Sequence, residues 1–300
     1  MVDILLSTYN GEKFLKAQLD SLFSQTYQNF KIIIRDDCSL DKTYAIIESY
    51  KEKNLDKIHI IPNKGINLGS SNSFFELLKN STSNLIMFCD QDDVWKSNKI
   101  ENTVNFYYSV NNIDQPILIH TAVEIVDEYL KPLPKLTKDF NKYKYSMEKK
   151  MIWQVFQNDV TGCTVLINDK MRDVVNKIDY RQLSVIQHDW LLAQIAFYYN
   201  SKFFFPEKTM FYRQHSSNVL GAKHLSFFKR VSLKIKNGCT YPFYDHIASL
   251  CQILDIENDK LKTFAELKNK KKLYRIYWHL INRFFMKGFI LKKIYQLFVC

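Results

Sequence analysis

Glycine is scarce in this 300-residue sequence, which contains only seven. The glycine-rich phosphate loops G-x-x-x-x-G-K-[ST] and G-x-G-x-x-G are both absent, and so are the H-E-x-x-H and G-x-S-x-G motifs. These absences argue against P-loop hydrolases, dinucleotide-binding dehydrogenases, H-E-x-x-H metallopeptidases and serine hydrolases of the nucleophile-elbow type. No apolar run reaches the roughly 18 residues of a membrane-spanning helix, and no secretory signal is visible at the N-terminus. We therefore expect neither a transmembrane helix nor a secretory signal.

Cysteine is also sparse, with six residues and no C-x-x-C spacing. Three of the cysteines stand in or beside apolar runs, where a free cysteine behaves as a small hydrophobic residue. This pattern predicts neither a disulfide framework nor a zinc site. It favours a reducing, cytoplasmic compartment.

Acidic residues are few in the last 80 positions. Residues 221–300 contain 16 Lys and Arg against 5 Asp and Glu, whereas residues 1–220 contain 26 of each, so the whole net charge of +11 lies in the C-terminal part. We divide the chain accordingly into a body, 1–220, and a helical basic region, 221–300. Residues 270–300 interleave basic with bulky apolar and aromatic residues, which predicts attachment to anionic lipid rather than to nucleic acid. The alternatives are a solvated helical face, packing against the body, or a dimer interface.

Short apolar strands alternate with helices over the first 90 residues. This alternation predicts an α/β fold with a mostly parallel central sheet that is flanked by helices on both faces. The predicted strands are 4–7, 30–34, 58–61 and 85–89, with helices beginning near residues 14, 41 and 73. The later pattern predicts strands at 116–121, 122–126, 163–167, 203–205 and 210–212, a helix at 188–199, and a basic connection at 131–150.

Carboxylates follow two of the predicted strands. Asp90, Asp92 and Asp93 come after the fourth strand, and Asp36 and Asp37 come after the second. Ligands of open parallel sheets bind at the carboxyl ends of the strands, which is where these residues are expected. Three neighbouring carboxylates repel one another unless a cation neutralises them, and oxygen ligands suit Mg²⁺ or Mn²⁺. The alternative is a solvated turn or the start of a helix.

Other polar residues are ambiguous when each is taken alone. The Asp36 carboxylate would suit a pyrimidine N3–H or a ribose hydroxyl, but a serine or aspartate at 39–41 would also cap the following helix. Asp189 opens a helical segment, where an acidic residue is usually a cap, and a lone histidine such as His215 is usually structural. Together with Arg213, these residues would complete a pocket for a metal and a phosphate.

The order of these motifs resembles family 2 glycosyltransferases of the GT-A fold. The resemblance covers roughly residues 3–222 and rests on LLSTYNGE at 5–12 with QLDSL at 18–22 and SQTY at 24–27, DDCSLDKT at 36–43, DQDDVW at 90–95, HDW at 188–190 and YRQH at 212–215. The D-Q-D-D-x-W form is typical of bacterial rhamnosyltransferase-like members, and Cys38 stands where glycine is usual. The Q-x-x-R-W motif of processive members is absent, which favours transfer of a single sugar.

The resemblance implies a role for each matching residue. Asp189 would be the catalytic base, and Asp92, Asp93 and His215 would hold Mn²⁺ or Mg²⁺ on the diphosphate of the donor. The nucleotide-sugar pocket would be lined by Thr8, Tyr9, Asn10, Asp36, Asp37, Gly69, Asp90 and Arg213.

The implied activity is an inverting, metal-dependent transfer of one sugar, with rhamnose from dTDP-rhamnose as the first choice. The acceptor would be a hydroxyl of a cell-surface glycan precursor, lipid-linked or oligosaccharide. The enzyme would be cytoplasmic and peripheral on the inner face of a bacterial plasma membrane, held there by residues 270–300, with no nucleic-acid partner and with an oligomer left open. The first alternative is a UDP-hexose donor on the same fold. A second alternative is a metal-dependent nucleotidyltransferase, and the missing glycine-rich entry loop argues against it. A third is a basic nucleic-acid-binding protein, and the apolar bulk of residues 276–299 argues against that.

Overall fold

The computed structural model describes residues 1–111, 113–145, 158–179 and 187–216, together with the single residues 248, 251 and 266. The chain divides into two compact units, Met1–Arg181 with Val185–Ala222, and Gln182–Ser184 with Lys223–Cys300. The strands and helices given below all belong to the first unit. The division predicted after residue 220 and the predicted attachment segment 270–300 lie outside the described residues and stay predictions.

Strands and helices alternate along the described part of the chain. The strands are β1 (Val2–Thr8), β2 (Phe30–Asp36), β3 (Ile58–Ile60), β4 (Leu85–Cys89), β5 (Val94–Trp95), β6 (Leu118–Val126), β7 (Val165–Asn168) and β8 (Lys202–Arg213). The helices are α1 (Leu15–Phe23), α2 (Thr43–Lys53), α3 (Ser70–Lys79), α4 (Lys99–Ser109), α5 (Pro134–Tyr145), α6 (Asp169–Asn176) and α7 (His188–Tyr198), and a 3₁₀ turn covers Gly162–Thr164. No described helix is both long and apolar enough to cross a membrane.

A single mixed sheet contains these strands in the order β3-β2-β1-β4-β7-β6-β8-β5. The first four strands of that order are parallel, and β8 is parallel to β6. β7 is antiparallel to both of its neighbours, and β5 is antiparallel to β8. The α/β fold predicted from the first 90 residues is therefore confirmed. The carboxyl ends of β1, β2 and β4 meet at one edge of the sheet.

Helices cover both faces of the parallel strands, which explains why those strands are continuously apolar. Ile4 and Leu6 of β1 belong to one core cluster with Leu15 and Leu19 of α1. On β4, Phe88 packs edge to face on Phe74 of α3, with ring centroids 5.6 Å apart. Burial on two faces removes the polar alternation of a half-exposed strand, and the resulting apolar runs made these elements predictable.

The second half of the chain differs from the prediction at several elements. The strands predicted at 116–121 and 122–126 are one strand, β6, over residues 118–126, and its pairing with β8 shifts register beside Ala122, where the prediction divided it. The two short strands predicted at 203–205 and 210–212 are likewise one strand, β8. The connection predicted at 131–150 contains α5, which starts at Pro134, a residue suited to the first helical position. The predictions also missed α4, α6 and β5.

Lys99 is an unusual member of the core, because its side chain is fully buried at the start of α4. Its Nζ donates to Thr209 Oγ1 at 3.2 Å, contacts Met210 Sδ at 3.7 Å and lies 4.7 Å from the centre of the Trp95 ring. Within the described residues, Lys99 forms no ion pair with a carboxylate. Burial lowers the pKa of Lys99 from 10.5 to about 8, so folding disfavours its charged form.

Replacing Lys99 with Met should therefore stabilise the protein at pH 7 by about 2 kcal/mol, allowing for the lost hydrogen bond to Thr209. Between pH 8 and 10.5 the unfolded chain binds one proton more than the folded chain at this position. Wild-type stability consequently rises through that window relative to Lys99→Met, and the advantage of the variant disappears. Urea denaturation of both proteins at pH 7 and pH 10 measures this difference.

The control for this experiment is Lys96→Met, since Lys96 is partly exposed and pairs with Glu124 at 3.0 Å. Its effect on the free energy of unfolding should not follow the same pH dependence. Equal stability of wild type and Lys99→Met at pH 7 would contradict the prediction.

Candidate active site

Asp36 is buried at the end of β2, beside the end of the parallel neighbour β1. Its Oδ1 accepts from Thr8 Oγ1 at 2.9 Å and from Ser39 Oγ at 2.5 Å, and its Oδ2 accepts from the Ser39 N–H at 2.9 Å. Asp41 accepts from the Thr43 N–H through its Oδ1 at 2.9 Å just ahead of α2, whose N-cap residue, Lys42, makes no side-chain capping bond. The structure thus brings Thr8 and Asp36 together at the predicted edge, and both oxygens of Asp36 have protein partners.

Cys38 lies in the same loop in an unusual backbone conformation, with φ at 67°. That left-handed region is strained for residues with a Cβ and free of strain for glycine. The conformation explains why glycine is the usual residue at this position of the motif.

Asp37 is occupied in holding the loop that precedes α3. Its Oδ1 forms an ion pair with Arg35 and accepts from the Leu68 N–H at 2.8 Å, while its Oδ2 accepts from the Gly69 N–H at 2.7 Å. Asp37 and Arg35 are both buried. Gly69 has φ at 75°, in the region that favours glycine. The structure therefore brings Asp37 and Gly69 into contact with each other, and this contact shapes the loop.

Gln91 joins the loop after β1 to the loop after β4. Its Oε1 accepts from the Tyr9 N–H at 2.8 Å, and its Nε2 donates to the Tyr9 carbonyl at 2.9 Å. A Cβ on Gly11 would lie 2.2 Å from Gln91 Oε1, so this approach requires glycine. Asn10 bridges to the loop after β2, because its N–H donates to Ser39 Oγ at 2.9 Å. The ring of Tyr9 is 47% exposed at this junction and is accessible to a ligand.

The residues after β4 are held by the end of β8. Asp92 Oδ2 lies 2.8 Å from His215 Nε2, and Asp93 Oδ1 accepts from the Arg213 N–H at 2.9 Å. The Arg213 guanidinium donates to the Asp92 carbonyl at 2.7 Å and to the Glu128 carbonyl. These contacts make Arg213 a positioning residue for the acidic motif.

The Phe14 ring packs against both Arg213 and His215. The Arg213 guanidinium lies 4.7 Å from the centre of the Phe14 ring, and the His215 ring centroid lies 4.6 Å from it. Cation–π and ring contacts of this kind fix side-chain orientation as well as adding stability.

Asp90 and Asp93 approach Cys163 of the 3₁₀ turn, and their potential ligand atoms all lie within 4.8 Å of one another. Burial, together with the nearby charges of Asp92 and Asp189, raises the pKa of Asp90 to about 7. Burial also raises the pKa of Asp93. Like charges are therefore concentrated here in a poorly hydrated place, as expected for a site that receives a cation.

Asp189 lies in the first turn of α7 but does not cap it. The helix begins at His188, and its N-cap residue, Gln187, makes no side-chain capping bond. Asp189 is 7% exposed, and its Oδ1 has no hydrogen-bond partner within the described residues. Its electrostatic effect on Asp90 shows that it faces the acidic cluster. A buried carboxylate oxygen without a partner is costly for stability and is a common feature of functional sites.

His188 packs beside Asp189 in an aromatic setting. Its ring lies 4.2 Å from the Phe74 ring and 5.2 Å from the Phe88 ring, and a Cβ on Gly162 would lie 2.8 Å from its Nε2. Burial lowers the pKa of His188, which favours the neutral ring. This close packing fixes the start of α7, and with it the position of Asp189.

The family model described as glycosyl transferase family 2 matches residues 3–175, more than half of the sequence. The chain belongs to glycosyl transferase family 2. The resemblance found in the sequence is confirmed, and the protein is a glycosyltransferase.

Known proteins similar to this family 2 glycosyltransferase support the same fold. A dTDP-rhamnosyl transferase, RfbG of Shigella flexneri, is 28% identical over 240 residues, which are 76% of this chain and 78% of the relative. The structure of S. aureus TarS 1–349 in complex with UDP-GlcNAc aligns with a TM-score of 0.59 at 14% identity, covering 98% of this chain and 78% of TarS. Mannosyltransferase PcManGT from Pyrobaculum calidifontis, in complex with GDP-Man and Mn²⁺, aligns with a TM-score of 0.54 at 12% identity, covering 96% of this chain and 76% of that one. The likeness to these structures confirms the GT-A fold.

Several residues around the site of this family 2 glycosyltransferase were not predicted as site residues. Gln91 stands inside the D-Q-D-D motif, so its position was a usable signal, but its partner Tyr9 is 82 residues away. Cys163 had no such signal, because it approaches Asp90 only through the pairing of β4 with β7. Phe14 gave no signal either, because an apolar residue at the start of a predicted helix is expected to pack in the core.

Proposed function

We propose that this glycosyltransferase transfers one sugar, rhamnose from dTDP-rhamnose, to a hydroxyl of a lipid-linked or oligosaccharide glycan precursor, with inversion at the anomeric carbon. The proximity of Asp90, Asp92 and Asp93 after β4 to Asp189 of α7, whose Oδ1 has no hydrogen-bond partner within the described residues, carries this proposal. The choice of donor rests on the similarity to the dTDP-rhamnosyl transferase of Shigella flexneri.

In this proposal Asp92, Asp93 and His215 would hold a divalent cation, either Mn²⁺ or Mg²⁺. Asp92 Oδ2 and His215 Nε2 lie together, and Asp93 Oδ2 is buried without a hydrogen-bond partner within the described residues. Carboxylate oxygens suit both ions, whereas the imidazole nitrogen of His215 suits Mn²⁺ better than Mg²⁺. When bound, the cation supplies positive charge to the nucleoside diphosphate that leaves.

Asp189 is the proposed general base. The acceptor hydroxyl has a high pKa and must lose its proton as its oxygen bonds to the anomeric carbon. Asp189 Oδ1 has no other hydrogen-bond donor to satisfy it within the described residues, so it is available to take that proton. The exposed ring of Tyr9 and the hydrogen-bonded Thr8–Asp36–Ser39 group border the proposed nucleotide pocket.

Calorimetry of donor binding tests the proposal. We expect dTDP-rhamnose to bind more tightly than UDP-glucose or UDP-galactose, and only in the presence of Mn²⁺. Tighter binding of a UDP sugar would keep the chemistry and replace the donor. Absence of metal-dependent binding for all three would contradict the proposal.

Asp92→Asn should weaken Mn²⁺-dependent donor binding at least about tenfold, because the amide removes a charge and loosens the contact with His215. The same calorimetric titration measures this loss. Asp173→Asn is the matched control, since Asp173 is exposed on α6 and pairs only with Arg172 among the described residues. An unchanged dissociation constant in Asp92→Asn would move the cation to other ligands.

The lipid-linked acceptor would bring the enzyme to the inner face of the plasma membrane, where residues 270–300 would bind anionic headgroups. Deleting residues 270–300 should therefore abolish sedimentation with vesicles that contain phosphatidylglycerol. Wild-type protein with neutral vesicles is the control. Undiminished co-sedimentation of the shortened protein would assign the segment to packing or to an oligomer contact.

A further inference from the structure

Asp90, Asp93 and Cys163 form a mixed carboxylate–thiol cluster at the inner side of the site. The antiparallel pairing of β4 with β7 matches Leu85 with Asn168 and Met87 with Leu166. Continued by three residues, this register places Cys163 opposite Asp90. The three potential ligand atoms lie within 4.8 Å of one another.

Two buried carboxylate oxygens in or beside the cluster lack a hydrogen-bond partner of good geometry within the described residues. Asp93 is fully buried, and its Oδ1 is taken by the Arg213 N–H, but its Oδ2 has no hydrogen-bond partner within the described residues. Asp189 Oδ1 is also buried without such a partner, and the Asp189 Cβ lies 3.7 Å from where a Cβ on Gly162, the neighbour of Cys163, would be. Buried oxygens of two separate elements thus lie at this end of the site without a hydrogen-bond partner among the described residues, and a bound cation would satisfy the oxygen of Asp93.

We propose that Asp90, Asp93 and Cys163 form a binding site for a thiophilic divalent cation such as Zn²⁺, different from the Asp92–His215 pair. Mg²⁺ and Mn²⁺ prefer oxygen ligands, whereas a thiolate selects softer ions. Zinc–ligand bonds of about 2.0–2.3 Å require ligand atoms roughly 3.5 Å apart, which small side-chain rotations reach from the present spacing. Asp90 is half-buried and offers the route of entry.

Binding exchanges a proton for a metal ion. The Cys163 S–H bond breaks, its proton passes to solvent, and the thiolate sulfur bonds to the cation. Two carboxylates and one thiolate then surround the ion, and solvent fills the remaining position. The absence of a C-x-x-C spacing does not bear on such a site, because the fold supplies a single thiol.

The consequence for catalysis rests on the proposed function, whereas the site itself does not. Asp93 is shared with the proposed catalytic cation, and Asp90 borders the proposed donor pocket. A thiophilic ion at Cys163 would therefore exclude the catalytic cation and act as an inhibitor.

Cd²⁺ is a suitable probe, because its bond to a thiolate absorbs in the ultraviolet. Full-length protein is titrated with Cd²⁺ in excess Mg²⁺, and the thiolate-to-metal absorption is followed. We expect a saturable signal in wild type, its loss in Cys163→Ser, and its retention in Cys89→Ser. Cys89 is the matched control, since it is also buried beside the cluster but its Sγ contacts Gln18 Nε2 at 3.0 Å.

A wild-type protein without the signal, or a Cys163→Ser protein that keeps it, would overturn the proposal. If circular dichroism shows that Cys163→Ser is unfolded, the titration is repeated with Asp90→Asn, a variant that keeps all six cysteines. We expect that variant to bind Cd²⁺ at least about tenfold more weakly, and unchanged affinity would overturn the site.

Donor calorimetry separates this proposal from the proposed function. Donor binding without the Cd²⁺ signal would remove only the thiophilic site. The Cd²⁺ signal without any donor binding would remove only the proposed function.

Discussion

Asp189→Asn should lower kcat for sugar transfer by about a thousandfold, within the range that a general base contributes. The amide matches the carboxylate in size but does not accept the proton of the acceptor hydroxyl. The fold should persist, because Asp189 does not cap α7 and its Oδ1 has no hydrogen-bond partner within the described residues. Donor affinity should persist as well, since the proposed nucleotide pocket lies at the ends of β1 and β2.

Product formation at saturating donor measures this effect, and calorimetry measures donor affinity in parallel. Asp173→Asn, on the exposed side of α6, is again the matched control. Turnover at the wild-type rate in Asp189→Asn would exclude Asp189 as the base. Loss of donor affinity together with turnover would instead indicate a binding role.

Asp37→Ala should lower the free energy of unfolding by about 4 kcal/mol, which is typical when one partner of a buried ion pair is removed. The substitution leaves the buried guanidinium of Arg35 without its carboxylate, and it also removes the acceptors of the Leu68 and Gly69 N–H groups. Chemical denaturation measures the loss. Asp173→Ala, which breaks an ion pair whose carboxylate is exposed to solvent, should cost less than about 1 kcal/mol.

A double variant refines this prediction. Arg35→Met combined with Asp37→Asn removes both charges and should recover part of the stability lost in Asp37→Ala, because no buried charge is left alone. If Asp37→Ala is as stable as wild type and loses donor affinity, Asp37 belongs to the nucleotide pocket, as the family resemblance implied.

The strands that could be predicted are those whose apolar sequence pattern matches their burial in the folded protein. β1, β2 and β4 are buried on both faces, so their sequences read as apolar runs with clear ends. β6 and β8 contain or face register shifts, and their patterns therefore split into fragments. The apolar pattern of a short sequence segment does not show where a bulge lies, because the position of the bulge depends on the partner strand.

The site shows the same limit at the level of single residues. A carboxylate after a strand looks the same in sequence whether it holds a ligand or a backbone loop. The sequence therefore predicts Asp37 as a residue of the nucleotide pocket beside Asp36 and Asp90, and only the structure shows that its carboxylate also holds the Leu68 and Gly69 N–H groups. Cys163 and Gln91 act through contacts that join distant parts of the chain, and only the sheet order reveals them.

The placement of β8 has a consequence for synthesis on the ribosome. Asp93 accepts from the Arg213 N–H, a contact that spans 120 residues, and β5 next to the acidic motif pairs with β8. A nascent chain that has emerged as far as α6 contains Asp90, Asp92 and Asp93 but lacks β8, the strand that orders them. Contacts of such long range form late and slow the folding of a domain. Each newly made molecule is thus inactive until nearly the whole body has emerged, and its acidic loop is exposed to the cell's metal ions during that interval.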